Sequence, residues 1–329
     1  MKQKTLGKTG LQISELALGG LFVSSHGSSY DQAQPAIARA LELGVNAIDT
    51  APGYGDSEEV LGRALESLGA NNSVILSTKL GGRPHPFEPQ NKDALLRSVE
   101  ESLRLLKRDA IDILMIHEPD RPGQYDWWSD PAEVHGPVLE VLDELKKSGV
   151  IKATGLGGTT VYEMARLIRT GRFDVVLTAF NYSLLWREAE EVIAAAKALA
   201  MGIVIGSPLQ QGALARRYDA EIKDGAPWIS PQRRAQYQAL YEYLDEIDLP
   251  LAEVAIRFVI SNPVVSCVLM GARSSEEVES NVTSVEKGAL PAEVIRRLDE
   301  IAALVPFRPF EEPLGLPFGR DYWGPAGAR

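Results

Sequence analysis

The sequence predicts an α/β fold, a (β/α)8 barrel of the TIM type with an N-terminal β-hairpin and long loops on its C-terminal face. Three observations carry that prediction. Short runs rich in Val, Ile and Leu alternate in strict order with longer amphipathic stretches along the 329 residues. The short runs lack a period of two, which marks strands buried on both faces, as in a parallel sheet. They number eight, which suits a closed barrel better than an open, doubly wound sheet of six. No break in composition divides the chain, so residues 1–329 read as one barrel domain whose last part, 304–329, is a tail.

The elements follow in order. The polar segment 2–12, with Lys8-Thr9-Gly10 as its turn, reads as a hairpin before the barrel. The first barrel strand is the weakest, near 13–18. Helix 31–43 comes next, then strand 45–49, helix 57–68, strand 74–78, helix 92–107 and strand 111–116. The second half continues with helix 132–148, strand 150–153, helix 160–170, strand 175–178, helix 187–200 and strand 202–205. A helical stretch over 231–261 and a last strand, 264–269, complete the set. Gly44, Gly69, Gly149, Gly171 and Gly202 stand where a helix should stop and a strand begin, because glycine accepts the left-handed backbone that ends many helices. Two connections exceed ordinary loop length, 118–131 and 206–230, and the tail is rich in Pro, Phe and Gly. Loops of that size in a compact domain are commonly functional.

Composition narrows the function. The net charge is −11, from 34 Lys plus Arg against 45 Asp plus Glu. Such a chain is poorly suited to follow a nucleic-acid backbone or an anionic membrane, and neither is an expected partner. The acidity serves solubility. One cysteine, Cys267, rules out an internal disulfide and a Cys-based zinc site. Lying in the apolar run 264–270, it reads as a small buried hydrophobe. No apolar signal core follows Met1-Lys2-Gln3-Lys4, and no stretch reaches the about 18 apolar residues of a membrane helix. A cytoplasmic protein is expected by default.

In a barrel of this kind the chemistry sits at the C-terminal ends of the strands. Three successive strands end in reactive groups: Asn46-Ala47-Ile48-Asp49, Ile75-Leu76-Ser77-Thr78-Lys79 and Ile113-Leu114-Met115-Ile116-His117. Any one of these could be a strand end reaching water. Three together, of three chemical types and on neighbours about 5 Å apart, predict a shared patch. Tyr54 follows Asp49 in Thr50-Ala51-Pro52-Gly53-Tyr54-Gly55, a loop made pliant by two glycines. A phenol titrates near ~10, too high for ready proton transfer at neutral pH. The ammonium of Lys79 would favour phenolate, the carboxylate of Asp49 would hold that ammonium, and His117 would orient a carbonyl oxygen. The set handles a proton but contains no hydride source, which points to a nicotinamide cofactor.

The segment from Asp49 to Glu58, Asp-Thr-Ala-Pro-Gly-Tyr-Gly-Asp-Ser-Glu, resembles the first signature of the aldo-keto reductase superfamily. Ser98-Val99-Glu100-Glu101-Ser102-Leu103-Arg104-Leu105-Leu106, continued by the strand 111–116 and His117, is similar to the second. Gly271-Ala272-Arg273-Ser274 with Glu277 and Asn281 resembles the motif at the adenosine end of the cofactor. The likeness covers about 6–281. It implies that Tyr54 is the general acid and base, tuned by Lys79 and Asp49, with His117 positioning a carbonyl or sugar substrate.

For the cofactor, the resemblance implies contacts from Gly158 and Thr159 after strand five and from Asn181 after strand six. Ser207, Leu209, Gln211 and Gly212 after strand seven would wrap the pyrophosphate, and Gly271, Arg273, Glu277 and Asn281 would meet the adenosine end. Three positions depart from the common pattern. Gly158 stands where a hydroxyl is usual, with Thr159 beside it; Ala179 replaces a frequent Gln; Gly206 replaces an aromatic. These departures resemble the aldose and galactose dehydrogenase-like branch. Arg273 suits a 2′-phosphate because guanidinium binds phosphate in a fork, whereas Glu277 would repel one. NADP is the preferred expectation, with NAD also compatible. Substrate-cleft candidates are Trp127 and Trp128 in the loop after strand four, Trp228 after strand seven and His26 after strand one.

Other readings fit less well. A metal-dependent hydrolase on the same barrel needs several His and carboxylate ligands at strand tips. Of four histidines only His117 clearly ends a strand, and Lys79 would repel a metal, so no metal is expected. A Rossmann reading of Gly155-x-Gly157-Gly158 fails because the motif is too short and Asp174 precedes the next strand instead of ending it. The alternative kept is a nucleotide-binding regulatory subunit of the same superfamily with little turnover. Oligomeric state leaves no mark in the sequence.

Overall fold

A computed structural model of the chain describes residues 1–307, apart from positions 122 and 228. An antiparallel hairpin, β1 (Gln3–Thr5) and β2 (Gln12–Ser14), precedes eight parallel strands. These are β3 (Leu16–Gly19), β4 (Ala47–Asp49), β5 (Ile75–Leu80), β6 (Ile111–His117), β7 (Ile151–Gly158), β8 (Val175–Ala179), β9 (Gly202–Gly206) and β10 (Cys267–Met270). They close in sequence order, with β10 pairing both β9 and β3. The expected barrel and hairpin are both present. The hairpin runs two residues past its expected end, because β2 pairs through Ser14 opposite Gln3.

Helices pack around the barrel: α1 (Tyr30–Glu42), α2 (Ser57–Ser67), α3 (Lys92–Leu106), α4 (Pro137–Ser148), α5 (Tyr162–Ile168) and α6 (Glu190–Ala198). After them come α7 (Asp219–Asp224), α8 (Pro231–Ile247), α9 (Leu251–Ile260), α10 (Ser275–Glu286) and α11 (Ala292–Ala302). Their apolar faces meet the outer faces of the strands in one continuous core. Inside the barrel a second layer of mostly small or slender side chains fills the bore, among them Ala17, Ala47, Ile113, Met115, Ala153 and Val204. Cys267 belongs to this layer, and burial pushes its thiol up, so it is inert packing.

Several boundaries differ from expectation, β7 by running on to Gly158, and three departures have a clear local reason. Helix α4 starts at Pro137 and not near 132, because Gly136 is its cap and a bridge between Asp130 and His135 ties up the preceding residues. The stretch 231–261 is two helices, since Asp248 turns left-handed (φ 50°) and Pro250 cannot continue the ladder. Gly44, Gly69, Gly149 and Gly171 do take left-handed backbone, but before β9 that conformation falls to Ala200 (φ 51°). Gly202 is glycine for another reason. A Cβ there would lie 2.5 Å from Leu6 Cδ1, and Leu6 is the fully buried tip of the hairpin region that seals the barrel floor.

Among the described residues no helix is long and apolar enough to cross a membrane. The residues of the tail beyond 307, and Trp228, lie outside the described part of the chain.

Candidate active site

The register of the barrel brings the three strand tips together. Asp49 on β4 stands opposite Ser77 on β5, and Lys79 lies one pleat further along β5. His117 closes β6 opposite Gly157 of β7. Side chains two apart share a face of a strand, so Ser77 and Lys79 both face Asp49. Lys79 Nζ donates to Asp49 Oδ2 at 2.7 Å and to the Thr50 carbonyl at 2.7 Å, while Ser77 Oγ donates to Asp49 Oδ1 at 2.9 Å. Lys79 is 1% exposed, so its charge is held by protein groups and not by water.

Glycines on β7 make the room. A Cβ on Gly157 would lie 3.3 Å from Lys79 Cε, and one on Gly155 would lie 2.8 Å from Met115 Cγ. The stem of Lys79 therefore crosses the bore over bare backbone.

Tyr54 sits in a one-turn loop after β4, set by Tyr54 N–H donating to the Ala51 carbonyl at 3.0 Å. Lys79 Nζ lies 4.9 Å from the centre of its ring, and the ring meets His117 edge-on with centroids 5.7 Å apart. All four sequence-selected residues thus converge on one patch. Their electrostatics are less simple than expected. Burial lifts the Tyr54 phenol above its ordinary value; Lys79 pulls it down and Asp49 pushes it up, with a net rise. The expectation that Lys79 lowers the phenol overall is corrected: its effect has the right sign, and desolvation outweighs it. Burial works against the Lys79 ammonium, but Asp49 and Tyr54 outweigh it and hold its pKa above the usual lysine value. His117 is pushed down to about 3 by burial, with Lys79 and Arg121 adding to the effect. It is neutral at neutral pH, and its Nδ1 is buried with no protein partner.

Beside this patch lies a polar shelf. Thr159 N–H donates to Asp120 Oδ2 at 2.9 Å, Asn181 Nδ2 donates to the Thr159 carbonyl at 2.6 Å, and Arg121 Nε donates to Thr159 Oγ1 at 2.8 Å. Gly158 must be glycine, since its Cβ would fall 2.3 Å from Met164 Sδ and 2.6 Å from Asp120 Oδ1. Asn181 Oδ1 is buried without a partner. After β9, Ser207, Gln210 and Gln211 are all left-handed (φ 54°, 48° and 53°), as is Gly212. This compact run, which contains Leu209, coils on itself, with Gln210 N–H donating to the Ser207 carbonyl and Gly212 N–H to the Leu209 carbonyl, each at 3.0 Å. At the far end Gly271 lies under the Phe22 ring, and Arg273 sets its guanidinium 5.1 Å from the centre of that ring. Glu277 Oε2 accepts from Arg273 N–H at 2.8 Å on the exposed side of the loop, while Ser274 caps α10. Asn281 is buried in the second turn of that helix.

The aromatic candidates separate. Trp127 is 1% exposed; its Nε1 donates to the His117 carbonyl at 3.1 Å and its ring packs on Phe87 and Tyr125. It supports the strand tip from behind and does not line an open cleft. Trp128 is also buried, at 9%. Both indoles are packed in the core beneath the long loop after β6. His26 is exposed and lies against the Tyr54 loop, where a Cβ on Gly55 would be 3.0 Å from its Nε2. Sequence reasoning passed over Ser77, Glu118, Asp120 and Arg121. The signal was present in His117-Glu118-Pro119-Asp120-Arg121, four charged or titratable groups in five residues at a strand tip.

Comparison with known proteins adds a separate line. The model of the aldo/keto reductase family matches residues 15–303. The chain is 27% identical over 328 residues to L-galactose dehydrogenase of Arabidopsis thaliana, covering 95% of this chain and 97% of that protein. It is 28% identical over 313 residues to D-threo-aldose 1-dehydrogenase of a Pseudomonas species, covering 83% and 89%. Among solved structures it resembles the aldo-keto reductase AKR11C1 of Bacillus halodurans in its holo form, with a TM-score of 0.76 and 28% identity over 95% of this chain and 100% of that one.

Proposed function

The chain belongs to the aldo/keto reductase family, whose members are oxidoreductases working with nicotinamide cofactors, and from that premise we propose that it interconverts a small carbonyl compound or sugar and the matching alcohol, with Tyr54 as acid and base. One observation carries the proposal: a buried Lys79–Asp49 pair lies against a phenol and an uncharged imidazole on a single patch at the barrel mouth. In reduction Tyr54, protonated at neutral pH, gives its proton to the carbonyl oxygen, and the adjacent Lys79 charge stabilises the phenolate left behind. In oxidation the same phenolate takes the proton back. His117, being neutral, donates a hydrogen bond to that oxygen without competing for the proton.

When bound, the cofactor supplies or accepts the hydride. The residues present fit it. The unpaired Asn181 Oδ1 is an acceptor for the carboxamide amino group, and Thr159 Oγ1, accepting from Arg121, keeps its own proton to donate. The run from Ser207 through Leu209 and Gln211 to Gly212 suits the pyrophosphate, while Gly271 and Asn281 suit the adenosine end. Glu277 engages the Arg273 backbone and not its guanidinium, which lies over Phe22; a guanidinium there suits a 2′-phosphate, and NADP is the cofactor we propose. The sequence likeness to sugar dehydrogenases supports a polyhydroxy substrate. The test is a spectrophotometric assay pairing NADPH and NADH with aldehydes, and NADP and NAD with aldoses. Tight nucleotide binding with no turnover for any pair would overturn the catalytic reading in favour of a regulatory one.

A further inference from the structure

Glu118 follows His117 directly, yet none of the chemistry above uses it. Its backbone is left-handed (φ 48°), a conformation that non-glycine residues adopt at a cost and that gathers at functional positions. Its N–H still donates to the Gly157 carbonyl at 2.6 Å, so the strand pairing is extended by one residue while the side chain is redirected. The side chain is only 17% exposed. Two other buried acids, Asp112 and Glu253, are fully engaged, whereas Asp120 beside this site leaves Oδ1 without a partner. Asp112 accepts from Leu76 N–H, Arg108 and Lys152, and Glu253 from Arg257 and Lys287. Glu118 meets Arg121 at 3.5 Å, beyond good hydrogen-bond length, and Gln124. It stands at the same strand tip as His117, with its N–H bound to Gly157, the residue that lies against the Lys79 stem, and its charge acts on Lys79 and Tyr54. Arg121 in turn holds Thr159 on the cofactor side.

We propose that the Glu118 carboxylate is a specificity residue that accepts hydrogen bonds from substrate hydroxyls next to the reacting carbon, selecting polyhydroxy carbonyl compounds over plain aldehydes. This rests on the oxidoreductase reading above. A half-buried carboxylate short of donors gains most from a ligand that brings them, and a diol brings two. Arg121 pairs with the carboxylate at 3.5 Å while its Nε holds Thr159. Burial raises the pKa of Glu118 most, and Arg121 opposes that rise, as for an acid whose donors are yet to arrive.

The test compares glyceraldehyde with propanal, which has the same carbon count and no hydroxyls, using NADPH and then NADH. Hydrogen bonds to a charged group are worth about 1.5–3 kcal/mol, so Glu118→Gln should lower kcat/KM for glyceraldehyde by about 10- to 100-fold, chiefly through KM. Its kcat/KM for propanal should stay within about two-fold of the unsubstituted protein, which also reports intact folding. Glu118→Asp, which keeps the charge, should recover part of the loss. Equal losses on both aldehydes, or an unchanged value for glyceraldehyde, would overturn the inference while leaving the enzyme reading intact. An unsubstituted protein that reduces neither aldehyde would overturn both.

Discussion

Replacing Tyr54 by Phe removes one oxygen and keeps the ring that packs on His117. General acid catalysis commonly contributes about 10²- to 10⁴-fold, so Tyr54→Phe should lose at least about 100-fold in kcat while nucleotide affinity stays near its original value. Full activity in that variant would exclude Tyr54 as the acid. His117 gives a second test, through stability. Its pKa is about 3 in the fold against an ordinary 6.5. As pH falls through 6.5 the unfolded chain binds a proton at this site that the folded one refuses. The contribution of neutral His117 is therefore complete above 6.5 and drains away toward about 3. Melting temperature between pH 7 and pH 4 should fall more steeply for the natural protein than for His117→Asn; equal slopes would refute the assignment. Asp49, Lys79 and His117 were legible because each stands at the end of an apolar run, and Tyr54 because it follows Asp49 in a glycine-flanked loop. The charged cluster from Glu118 to Arg121 was visible in the sequence but its role was not, because Asp120 and Arg121 act on Thr159 after β7, and no periodicity links residues that meet only through space.

At the scale of elements, β7 and the start of β9 show two uses of glycine that read alike in sequence. On β7, Gly157→Ala would push a methyl against the Lys79 stem at 3.3 Å. A misplaced catalytic group can cost about 100-fold, so kcat should fall at least about 10-fold with little change in unfolding free energy. A matched loss of stability would show that Gly157 serves packing instead. At β9, Gly202→Ala meets Leu6 at 2.5 Å, and overpacking of this kind costs about 1–3 kcal/mol. Urea unfolding should show that loss, with kcat unchanged because the floor of the barrel lies far from the strand tips. Helix ends at Gly44, Gly69, Gly149 and Gly171 were legible from glycine's backbone freedom. Gly202 was misread because its constraint comes from a side chain 196 positions away in Leu6, and the α8–α9 junction because the helical pattern carries on past Pro250.

Across the whole molecule, alternation of runs made the barrel readable and fixed which end carries the chemistry. The proposed cofactor groove was only partly readable, because it draws on backbone conformation after β9 and on carboxylates that brace other loops. A groove of this kind stabilises the fold when filled. NADP at 100 times its Kd should raise stability by about 2.7 kcal/mol, seen as a saturable rise in melting temperature. Arg273→Ala should weaken that response to NADP and leave the response to NAD near its original size. Equal weakening of both would remove Arg273 from 2′-phosphate recognition.

The seal at the floor also sets an order of events in time. Lys4 of the hairpin donates to the carbonyl of Val265, 261 positions further along, and Leu6 packs on Gly202. Ribosomes add about 5–20 residues per second, so the hairpin must wait roughly 13–50 s for its seat to emerge. Through that interval the apolar lining of an unfinished barrel has no cover from its own chain. Newly made protein should therefore depend on holding chaperones until β9 and β10 appear, and separating the hairpin from β3 by a long flexible insert should slow the final step of folding more than it lowers the stability of the finished barrel.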